Sequence, residues 1–512
     1  MVESDNHAAF AQALRRMEGH GPIAVPHVVQ GREYHDGQSI TRFNPCSLKQ
    51  EISRCHEAPA ELVIQAVQAS RRAQREWRKV PLRERAAVMR KALGAFDGWV
   101  PDWAVRVALE IGKPHVAARL EAVEVRDILD RYLGFIEASG AFEDELDTAA
   151  AGRPVSQSLL RPYGVFGVIT PFNYPIVQAA GPTIGALLAG NGVVIKTSHL
   201  APWSGQAVYE MCAAMNLPVG LVNVVHGADD AGRHVVASDV DGISFTGSVA
   251  AGRSILRAMN EGPYPRPVIA EMGGKNPVIV TDTADLAQAA KGIAFSAFDL
   301  AGQKCSALSR VLVSEKVHDS LVAQILDCAA AMHVGPPSDQ RSDLGPVVDE
   351  DAKARFHAAV ARARKEKFAV SADKAIQGDG HFVAPVITSK VPAMHELAMT
   401  EHFVPFLTVS PFSTFEEALS LANATPMGLT AGLYSGDRGE MTSFVDGIEA
   451  GCINVNVPGH ATTGWWPAQQ TFGGWKASGT TGKHTLGKWY VQQFARQQSR
   501  KVPQALAEAL TC

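Results

Sequence analysis

The stretch GVFGVITPFNYPIVQAAGPTIGALLAGNGVVIKTS, residues 164–198, contains a short apolar run, a longer helical run and a second short apolar run. Short runs rich in valine and isoleucine are typical of buried strands, and the residues between these two leave room for one helix. A strand, a helix and a second strand in this order are typical of a parallel sheet. The stretch therefore predicts an α/β fold.

The same alternation continues along the chain. Further strands are predicted at LVNVVHG (221–227), GISFTG (242–247) and PVIAEMGG (267–274), and helical runs separate them. Because these strands are apolar throughout, helices are expected on both faces of the sheet. A second α/β run begins near residue 275, so the fold class is two doubly wound parallel α/β domains with a cleft between them.

The rest of the chain is assigned by periodicity and composition. Residues 60–135 place apolar side chains three and four positions apart, which predicts helices, and the first ~35 residues are interpreted as a loose lead-in. The polar segment 140–162 and the tail 489–502 are predicted to form a small β arm that packs on another subunit. The predicted domains are residues 1–138 with 163–273, residues 274–476, and an arm with a C-terminal tail at 139–162 and 477–512.

Composition narrows the class of protein. The chain has 512 residues, a net charge of −4 and no basic run, so neither nucleic acid nor a membrane surface is an expected partner. No apolar stretch approaches the ~18 residues that a membrane span needs. The seven cysteines form no CxxC pair, so no disulfide framework and no metal site are predicted, and the cytoplasm is the expected location.

Three residues are candidates for covalent chemistry. Cys305 lies in FDLAGQKCSALSR (298–310), where the preceding lysine suggests a positive neighbourhood that lowers a thiol pKa. Glu271 ends an apolar strand, where partial burial raises a carboxyl pKa and makes a base that works near neutrality. Asn173 follows a strand in the turn TPFNYP, from which a rigid side-chain amide can donate to a developing oxyanion. Read singly, a buried cysteine, a capping glutamate and a turn asparagine are ordinary structural residues.

Other positions suit a phosphate or a ribose. Gly247 and Ser248 join a predicted strand to a helix, and free N–H groups at a helix start favour a phosphate. Lys196 ends a strand at the edge where open α/β sheets bind ligands. The chain has no GxGxxG at this point, so the usual dinucleotide loop is absent.

The order of these motifs resembles that of the aldehyde dehydrogenase superfamily from about residue 40 to residue 500. The matching motifs are PFNYP (171–175), IK (195–196), FTGS (245–248), EMGGK (271–275), GQKC (302–305), EHFVPF (401–406) and FGGWKASG (472–479). The resemblance implies a cofactor-binding domain, a catalytic domain and an oligomerisation arm. It also implies NAD or NADP as cofactor and a homodimer or homotetramer as assembly.

The resemblance assigns roles to the matching residues. Cys305 would attack the aldehyde to form a thiohemiacetal and then a thioester, Asn173 would hold the oxyanion, and Glu271 would activate the water that hydrolyses the thioester. A glutamate at this position favours release of a carboxylic acid over transfer to coenzyme A. The residues expected to contact the cofactor are Thr170, Phe172, Lys196, His199, Gly247, Ser248, Glu401 and Phe403.

Three positions depart from the family pattern. His199 stands where a glutamate often binds the adenosine ribose, which predicts that NADP is tolerated because one carboxylate that would repel a 2′-phosphate is missing. Val404 replaces a glycine and changes the expected geometry on the nicotinamide side. Thr471 replaces a proline before FGG, which is a milder change.

The substrate is predicted from the same comparison. AEMGGKN, GQKCSALSR and FGGWKASGT look most like the pyrroline-5-carboxylate dehydrogenases, in which Ser306 and a Gly-Ala pair would hold the carboxylate of glutamate γ-semialdehyde. Gly464 matches this pair, but Trp465 replaces its alanine and favours an apolar or aromatic aldehyde. Both substrates stay open, as does a semialdehyde of another kind.

Two other functions are alternatives to an aldehyde dehydrogenase. A thiol esterase would use the same cysteine and oxyanion donor without a cofactor, and a binding protein would keep the fold without catalysis. The esterase leaves the predicted phosphate and ribose positions without a purpose. A binding protein has no need of Cys305, Glu271, Asn173, Lys196 and Glu401 together. An aldehyde dehydrogenase accounts for all of them.

Overall fold

The computed structural model describes residues 2–17, 21–138, 143–147, 154–371, 376, 378–464, 469–503 and 506. The α-helices of the described residues are α1 (Val2–Met17), α2 (Ala60–Trp77), α3 (Leu82–Arg90), α4 (Phe96–Ile111), α5 (His115–Ala138), α6 (Val177–Leu188), α7 (Pro202–Ala214), α8 (Asp229–Ala237), α9 (Val249–Asn260), α10 (Leu286–Phe298), α11 (His318–Ala331), α12 (Glu350–Lys365), α13 (Glu396–Met399), α14 (Phe415–Asn423) and α15 (Arg438–Gly447).

The strands, in the same residues, are β1 (Ile23–Ala24), β2 (His27–Val29), β3 (Arg32–Tyr34), β4 (Ser39–Asn44), β5 (Ser47–His56), β6 (Glu143–Asp147), β7 (Val155–Pro162), β8 (Val165–Ile169), β9 (Gly192–Lys196), β10 (Val222–Val225), β11 (Gly242–Gly247), β12 (Val268–Met272), β13 (Asn276–Val280), β14 (Leu308–Ser314), β15 (Ala369–Val370), β16 (Val386–Ser389), β17 (Phe406–Phe412), β18 (Met427–Gly428), β19 (Thr430–Tyr434), β20 (Cys452–Val455), β21 (Trp475–Lys476) and β22 (Ala495–Val502).

Local sequence explains where several helices begin. Polar side chains precede their first turns and accept a backbone N–H that would otherwise lack a partner. The side chains that cap helices in this way are those of Ser248, Asp285, Asp349, Thr414 and Asp437. Helices α9, α10, α12, α14 and α15 therefore begin where the sequence supplies an N-cap.

The first large sheet has the strand order β12-β11-β8-β9-β10-β2-β3. Its strands from β8 to β12 are parallel, and every residue of β8, β9 and β10 is buried. Apolar clusters cover both faces of this sheet. The quoted stretch 164–198 thus forms the central β8-α6-β9 unit, as its sequence predicted.

The N-terminal region differs from its prediction as a loose lead-in. Residues 2–17 form α1, which packs on α4, and β2 and β3 extend the first large sheet beyond β10. The segment is ordered because its apolar side chains have partners far along the chain. Phe10 is buried in the main apolar cluster, and Val28 lies opposite Val224 in the antiparallel β2–β10 pair. A two- or three-residue strand is too short to show a period in sequence.

The second large sheet has the order β15-β16-β17-β14-β13-β19-β20. Only its edge pair, β15 and β16, is antiparallel within the described residues. The chain leaves the first sheet at Met272 and enters the second at Asn276, so the predicted boundary after residue 273 lies between the two sheets. The full division into domains stays a prediction.

A third sheet joins distant parts of the chain. β7 pairs with β22 over eight residues and with β6 on its other side, all antiparallel. These strands come from the segments 140–162 and 489–502 that were predicted to form a β arm. Among the described residues, no helix combines the length and the apolar character that crossing a membrane requires.

Candidate active site

The carboxyl ends of the parallel strands open into a cavity of about 880 Å³. Open α/β sheets place their ligands at this edge, where strand order changes direction. The second sheet contributes residues around 401–403 and Cys305. Every residue predicted for catalysis or cofactor binding lines this cavity, namely Thr170, Phe172, Asn173, Lys196, His199, Gly247, Ser248, Glu271, Cys305, Glu401 and Phe403.

Cys305 follows an unusual turn. After α10 the chain forms a short 3₁₀ segment, Asp299–Gly302, in which Leu300 and Ala301 have φ values of 53° and 52° and Gly302 has φ 69°. A left-handed conformation costs a residue with a side chain about 1–2 kcal/mol, so surrounding contacts must stabilise this turn. At Gly302 an added Cβ would lie 2.5 Å from the carbonyl oxygen of Val404, which explains the glycine of GQKC.

The lysine before the cysteine does not act as the sequence suggested. The Lys304 ammonium pairs with the carboxylate of Asp299 and lies 5.8 Å from the ring centroid of Tyr174. Burial raises the pKa of the Cys305 thiol to about 12, and the nearby carboxyls of Glu401 and Glu271 add to this rise. The expectation of a positive neighbourhood is therefore wrong, because the lysine charge is already paired. The resting protein holds Cys305 as a thiol.

Asn173 is placed next to the Cys305 turn by a hydrogen bond that the sequence did not reveal. Its Nδ2 donates to the carbonyl oxygen of Gln303 at 2.9 Å, and its side chain is only 5% exposed. One amide hydrogen is thus bound to the Cys305 turn, while the second is free to point toward the cavity. This geometry suits a donor to an oxyanion on the carbon that Cys305 attacks.

Two further amides support the turn, and sequence reasoning gave neither a role. The Gln303 side chain donates to the Leu300 carbonyl at 3.1 Å and accepts the Val348 N–H at 2.8 Å. The Asn276 Nδ2 donates to the Cys305 carbonyl at 2.7 Å. Both residues lie inside quoted motifs, GQKC and EMGGKN, so the motifs themselves were the available signal.

Glu271 lies on β12 and faces the same cavity. Burial raises the pKa of its carboxyl to about 8, and a hydrogen bond from the Gly474 backbone opposes the rise. Within the described part of the chain its Oε2 atom is buried and has no hydrogen-bond partner. The predicted rise in pKa is therefore present, and the free oxygen is available to a water in the cavity.

The far end of the cavity holds the residues predicted for a ribose and a phosphate. Lys196 is 6% exposed, and its ammonium donates to the carbonyls of Gly227 and Ala228 at 3.1 and 3.2 Å. Burial lowers the pKa of Lys196 to about 8, so it stays mostly charged at neutral pH. Burial lowers the pKa of His199 too, and the charges of Lys196 and Arg42 lower it further. His199 is therefore neutral at pH 7.

Helix α9 presents its N-terminus to the cavity. Ser248 caps it by accepting the Ala251 N–H at 3.2 Å, which leaves the serine hydroxyl hydrogen for a ligand. Gly247 lines the cavity, and the space around it also leaves no room for a side chain. A Cβ there would lie 2.5 Å from the ring of Phe245, so the glycine makes room for its own chain.

Glu401 lies near Cys305 on the second sheet's side. The Gly274 N–H donates to its carboxylate at 3.0 Å, and burial raises the pKa of this carboxyl to about 7. Phe403 has φ 58°, and its ring meets the ring of Phe172 edge to face at 6.0 Å. Val404, expected to alter the geometry here, packs in the main apolar cluster and is 5% exposed.

Two of the residues predicted for substrate contact, Ser306 and Gly464, lie outside the lining of this cavity. Ser306 is 3% exposed, and its carbonyl accepts the Thr462 hydroxyl at 2.8 Å. Gly464 has φ 97° and lies against the ring of His460. Trp465 lies outside the described residues. The Ser306–Thr462 bond connects the two predicted segments beside Cys305, but substrate contact by these residues stays a prediction.

Comparison with known proteins agrees with this geometry. Residues 33–499 match the model of the aldehyde dehydrogenase family. A 1-pyrroline-5-carboxylate dehydrogenase of Bacillus licheniformis is 31% identical over 495 residues, which is 94% of this chain and 93% of that protein. A 1-pyrroline-5-carboxylate dehydrogenase 2 of Bacillus subtilis is 31% identical over 496 residues, with 94% and 93% covered.

Among solved structures, a 1-pyrroline-5-carboxylate dehydrogenase from Thermus with bound NAD superimposes with a TM-score of 0.90 at 27% identity and covers 97% of this chain and 96% of that one. The family match covers far more than half of the chain and includes every predicted catalytic residue. The chain therefore belongs to the aldehyde dehydrogenase family and is an oxidoreductase related to the 1-pyrroline-5-carboxylate dehydrogenases.

Proposed function

We propose that this protein oxidises an aldehyde to its carboxylic acid with NAD or NADP, through a thiohemiacetal and a thioester on Cys305. The observation that carries the proposal is the single cavity that Cys305, Asn173 and Glu271 share with the predicted cofactor residues. A nucleophile, an oxyanion donor, a base and a dinucleotide site must all reach one carbon atom.

The cavity fits a dinucleotide. Its volume of about 880 Å³ lies in the range of cofactor sites. Lys196 and Ser248, the N-cap residue of α9, line it together with Phe403, Glu401 and Cys305. The Thr170 hydroxyl, buried in the wall, has no hydrogen-bond partner among the described residues and is available to a ligand. The nicotinamide ring, when bound, accepts the hydride that leaves the substrate carbon.

In the first half of the reaction, the Cys305 sulfur attacks the aldehyde carbon. The thiol pKa of about 12 means that a base must remove its proton first. Glu271 faces the same cavity, and its carboxyl is close to half ionised at pH 8. The carbonyl oxygen becomes negative as the carbon–sulfur bond forms, and the Asn173 amide donates to it. Collapse of the thiohemiacetal with loss of hydride leaves a thioester on Cys305.

Before the second half, Glu271 passes the thiol proton to solvent. It then accepts a proton from water, and the resulting hydroxide attacks the thioester. The carboxylic acid leaves and the Cys305 sulfur recovers a proton. The buried oxygen of Glu271 that lacks a protein partner is the group that would bind this water. Acid formation therefore depends on a carboxylate that is kept basic by burial.

The enzyme is expected to discriminate only weakly between NAD and NADP. A 2′-phosphate would find the Lys196 ammonium and the neutral His199 ring, but Asp229 lines the same end of the cavity. We expect kcat/KM for NAD and for NADP to differ by less than ~100-fold, because charges of both signs, including Lys196 and Asp229, line the cavity. A larger preference for NAD would contradict this.

The His199→Glu variant tests the same end of the cavity. The added carboxylate should raise the ratio of NAD to NADP activity by about tenfold or more, which corresponds to about 1.4 kcal/mol. Ala323→Glu adds the same charge at an exposed position on α11 and serves as the matched control. An equal change of ratio in both variants would show that net charge, and not position 199, sets the preference.

The substrate class is proposed as a semialdehyde that carries a carboxylate, with glutamate γ-semialdehyde as the first candidate. The similarity to the Bacillus 1-pyrroline-5-carboxylate dehydrogenases supports it. Ser306 and Gly464 lie in segments that the Thr462 hydroxyl connects, as a carboxylate site built from both would need. The alternative is an apolar or aromatic aldehyde, which the tryptophan at position 465 would favour.

The experiment that tests the function is a kinetic screen at 340 nm. Aliphatic, aromatic and semialdehyde substrates are each supplied with NAD and with NADP. The proposal expects reduced cofactor, and the highest kcat/KM for glutamate γ-semialdehyde. Hydrolysis of an ester without any reduction of cofactor would instead identify an esterase, and absence of both reactions would identify a binding protein.

The small sheet of β6, β7 and β22 is the proposed site of self-association into a homodimer or homotetramer. Strand β22 is largely exposed along its length. The proposed location is the cytoplasm, since the described cysteines are all unpaired.

A further inference from the structure

The paired charges behind Cys305 have no place in the reaction described above. Lys304 and Asp299 flank the left-handed turn that carries the nucleophile, and their side chains are only 12% and 13% exposed. Each charge is costly to bury alone, so the pair must be formed in the folded protein. The salt bridge connects Asp299, the first residue of the turn, with Lys304, the residue directly before Cys305.

The same ammonium reaches the loop of the oxyanion donor. The Lys304 ammonium lies 5.8 Å from the ring centroid of Tyr174, and this tyrosine directly follows Asn173 in the chain. On the ring of Tyr174, the ammonium of Lys113 lies 3.6 Å from the centroid. Tyr174 is therefore held between two lysine charges, one from the nucleophile turn and one from the end of α4.

A second ion pair extends the contact to helix α6. Lys113 pairs with Glu121 at 2.5 Å, and both side chains are almost fully buried. The other oxygen of Glu121 accepts the N–H of Ile176 at 2.9 Å. This chain of contacts holds both ends of the short segment Asn173–Ile176, on which the oxyanion donor sits.

We propose that Asp299, Lys304 and Tyr174 form a clamp that sets the distance between the Cys305 sulfur and the Asn173 amide. The clamp binds the turn of the nucleophile to the loop of the oxyanion donor at one buried point. Asp299 and Lys304 are thus positioning residues that act through Cys305 and Asn173. The inference rests on the proposed role of Cys305 as nucleophile.

The clamp explains two facts that the reaction leaves open. Leu300 and Ala301 keep left-handed conformations although neither is glycine, and the salt bridge that spans them opposes their relaxation. The lysine directly before the cysteine does not lower the thiol pKa, because its charge is paired with Asp299 and fixes the turn. A misplacement of ~1 Å at a reacting group can cost ~100-fold in rate. Contacts that fix the positions of Cys305 and Asn173 therefore affect the rate.

The test compares Lys304→Met, Asp299→Asn and the double variant with the intact enzyme. We expect kcat to fall ~10- to 100-fold in each, with the KM for aldehyde within about threefold of its normal value, since positioning and not binding is lost. The double variant should be no slower than the single ones, because both remove the same interaction. The double variant also leaves no unpaired buried charge, so it tests the clamp if a single variant folds poorly.

A second measurement needs neither cofactor nor aldehyde. The rate of alkylation of Cys305 by iodoacetamide, followed by peptide mass at one fixed pH, should fall ~10-fold in all three variants as the turn relaxes and withdraws the sulfur from the cavity. Lys304→Arg should restore most of this rate and of kcat, because a guanidinium can still pair with Asp299. Lys316→Met, which breaks an exposed lysine–aspartate pair with Asp282, should change neither.

The outcomes separate the alternatives. Normal alkylation rates in all three variants would overturn the clamp, as would a large rise of KM at unchanged kcat, which would place Lys304 against the aldehyde. Additive losses in the double variant would show that the two residues act independently and would also overturn it. If no aldehyde is oxidised by any form, the proposed function fails, and the alkylation rates still decide the clamp.

Discussion

The Cys305→Ala variant is expected to lose aldehyde oxidation by about 10⁴-fold or more, as removal of a covalent nucleophile does in other enzymes. Without the sulfur, no thiohemiacetal forms, and the hydrogen of the aldehyde carbon is not presented as a hydride. The measurement is formation of reduced cofactor at 340 nm with the best aldehyde of the screen. Binding of NAD, followed by quenching of protein fluorescence, should stay within about threefold of the normal affinity.

A matched control uses another thiol of this chain. Cys328 lies on α11 and outside the lining of the cavity, so Cys328→Ala should oxidise the aldehyde at the normal rate. Equal loss in the two variants would point to a general effect on folding. Substantial activity in Cys305→Ala would remove the nucleophile from the mechanism and with it the proposed function.

The Glu271→Gln variant is expected to stop after one turnover. Glutamine cannot accept a proton from water, so the thioester on Cys305 should accumulate. Reduced cofactor should form slowly and stop at about one equivalent, because the Cys305 thiol has also lost its base, and intact mass should show an acyl adduct at Cys305. Continued turnover at a near-normal rate would show that another group activates the water.

The same carboxyl predicts a pH dependence. Burial raises the pKa of Glu271 to about 8, and the base must be ionised to act, so kcat should rise with pH through about 8 and then level off. This rise of kcat with pH is expected when hydrolysis of the thioester limits the rate. In Glu271→Gln the residual rate should lose this inflection. An inflection that persists in the variant would assign it to another group, for which Glu401, with a pKa of about 7, is the first candidate.

Much of the fold could be predicted because its signals are local. The runs around 164–198 and 221–274 carry the period of buried strands and of helices over enough residues to be recognised, and each became the predicted element. The N-terminal segment was misjudged because β2 and β3 have three residues each. The pairing of β2 with β10 depends on a partner almost 200 residues away.

The candidate site, like the fold, has features that the sequence predicts and features that it does not. Cys305, Asn173 and Glu271 could be named from motifs, since each motif is short and its residue types suit one chemistry. The protonation of the site could not be predicted from neighbours in the chain. Lys304 precedes Cys305, yet its charge is paired with Asp299. Glu271 comes from a distant strand and Glu401 from a distant loop, and both raise the thiol pKa.

By itself the sequence predicted most strands and helices after residue 60, the family of the chain and the candidates for the reacting groups, because period and motif are properties of neighbouring residues. Only the tertiary structure decided how Gln303 and Asn276 hold the Cys305 turn, why Gly247 must lack a side chain, and that Lys304 lies beside the ring of Tyr174. Each of these depends on a distance in space between atoms, and on the burial of charge, which the linear order of residues does not contain.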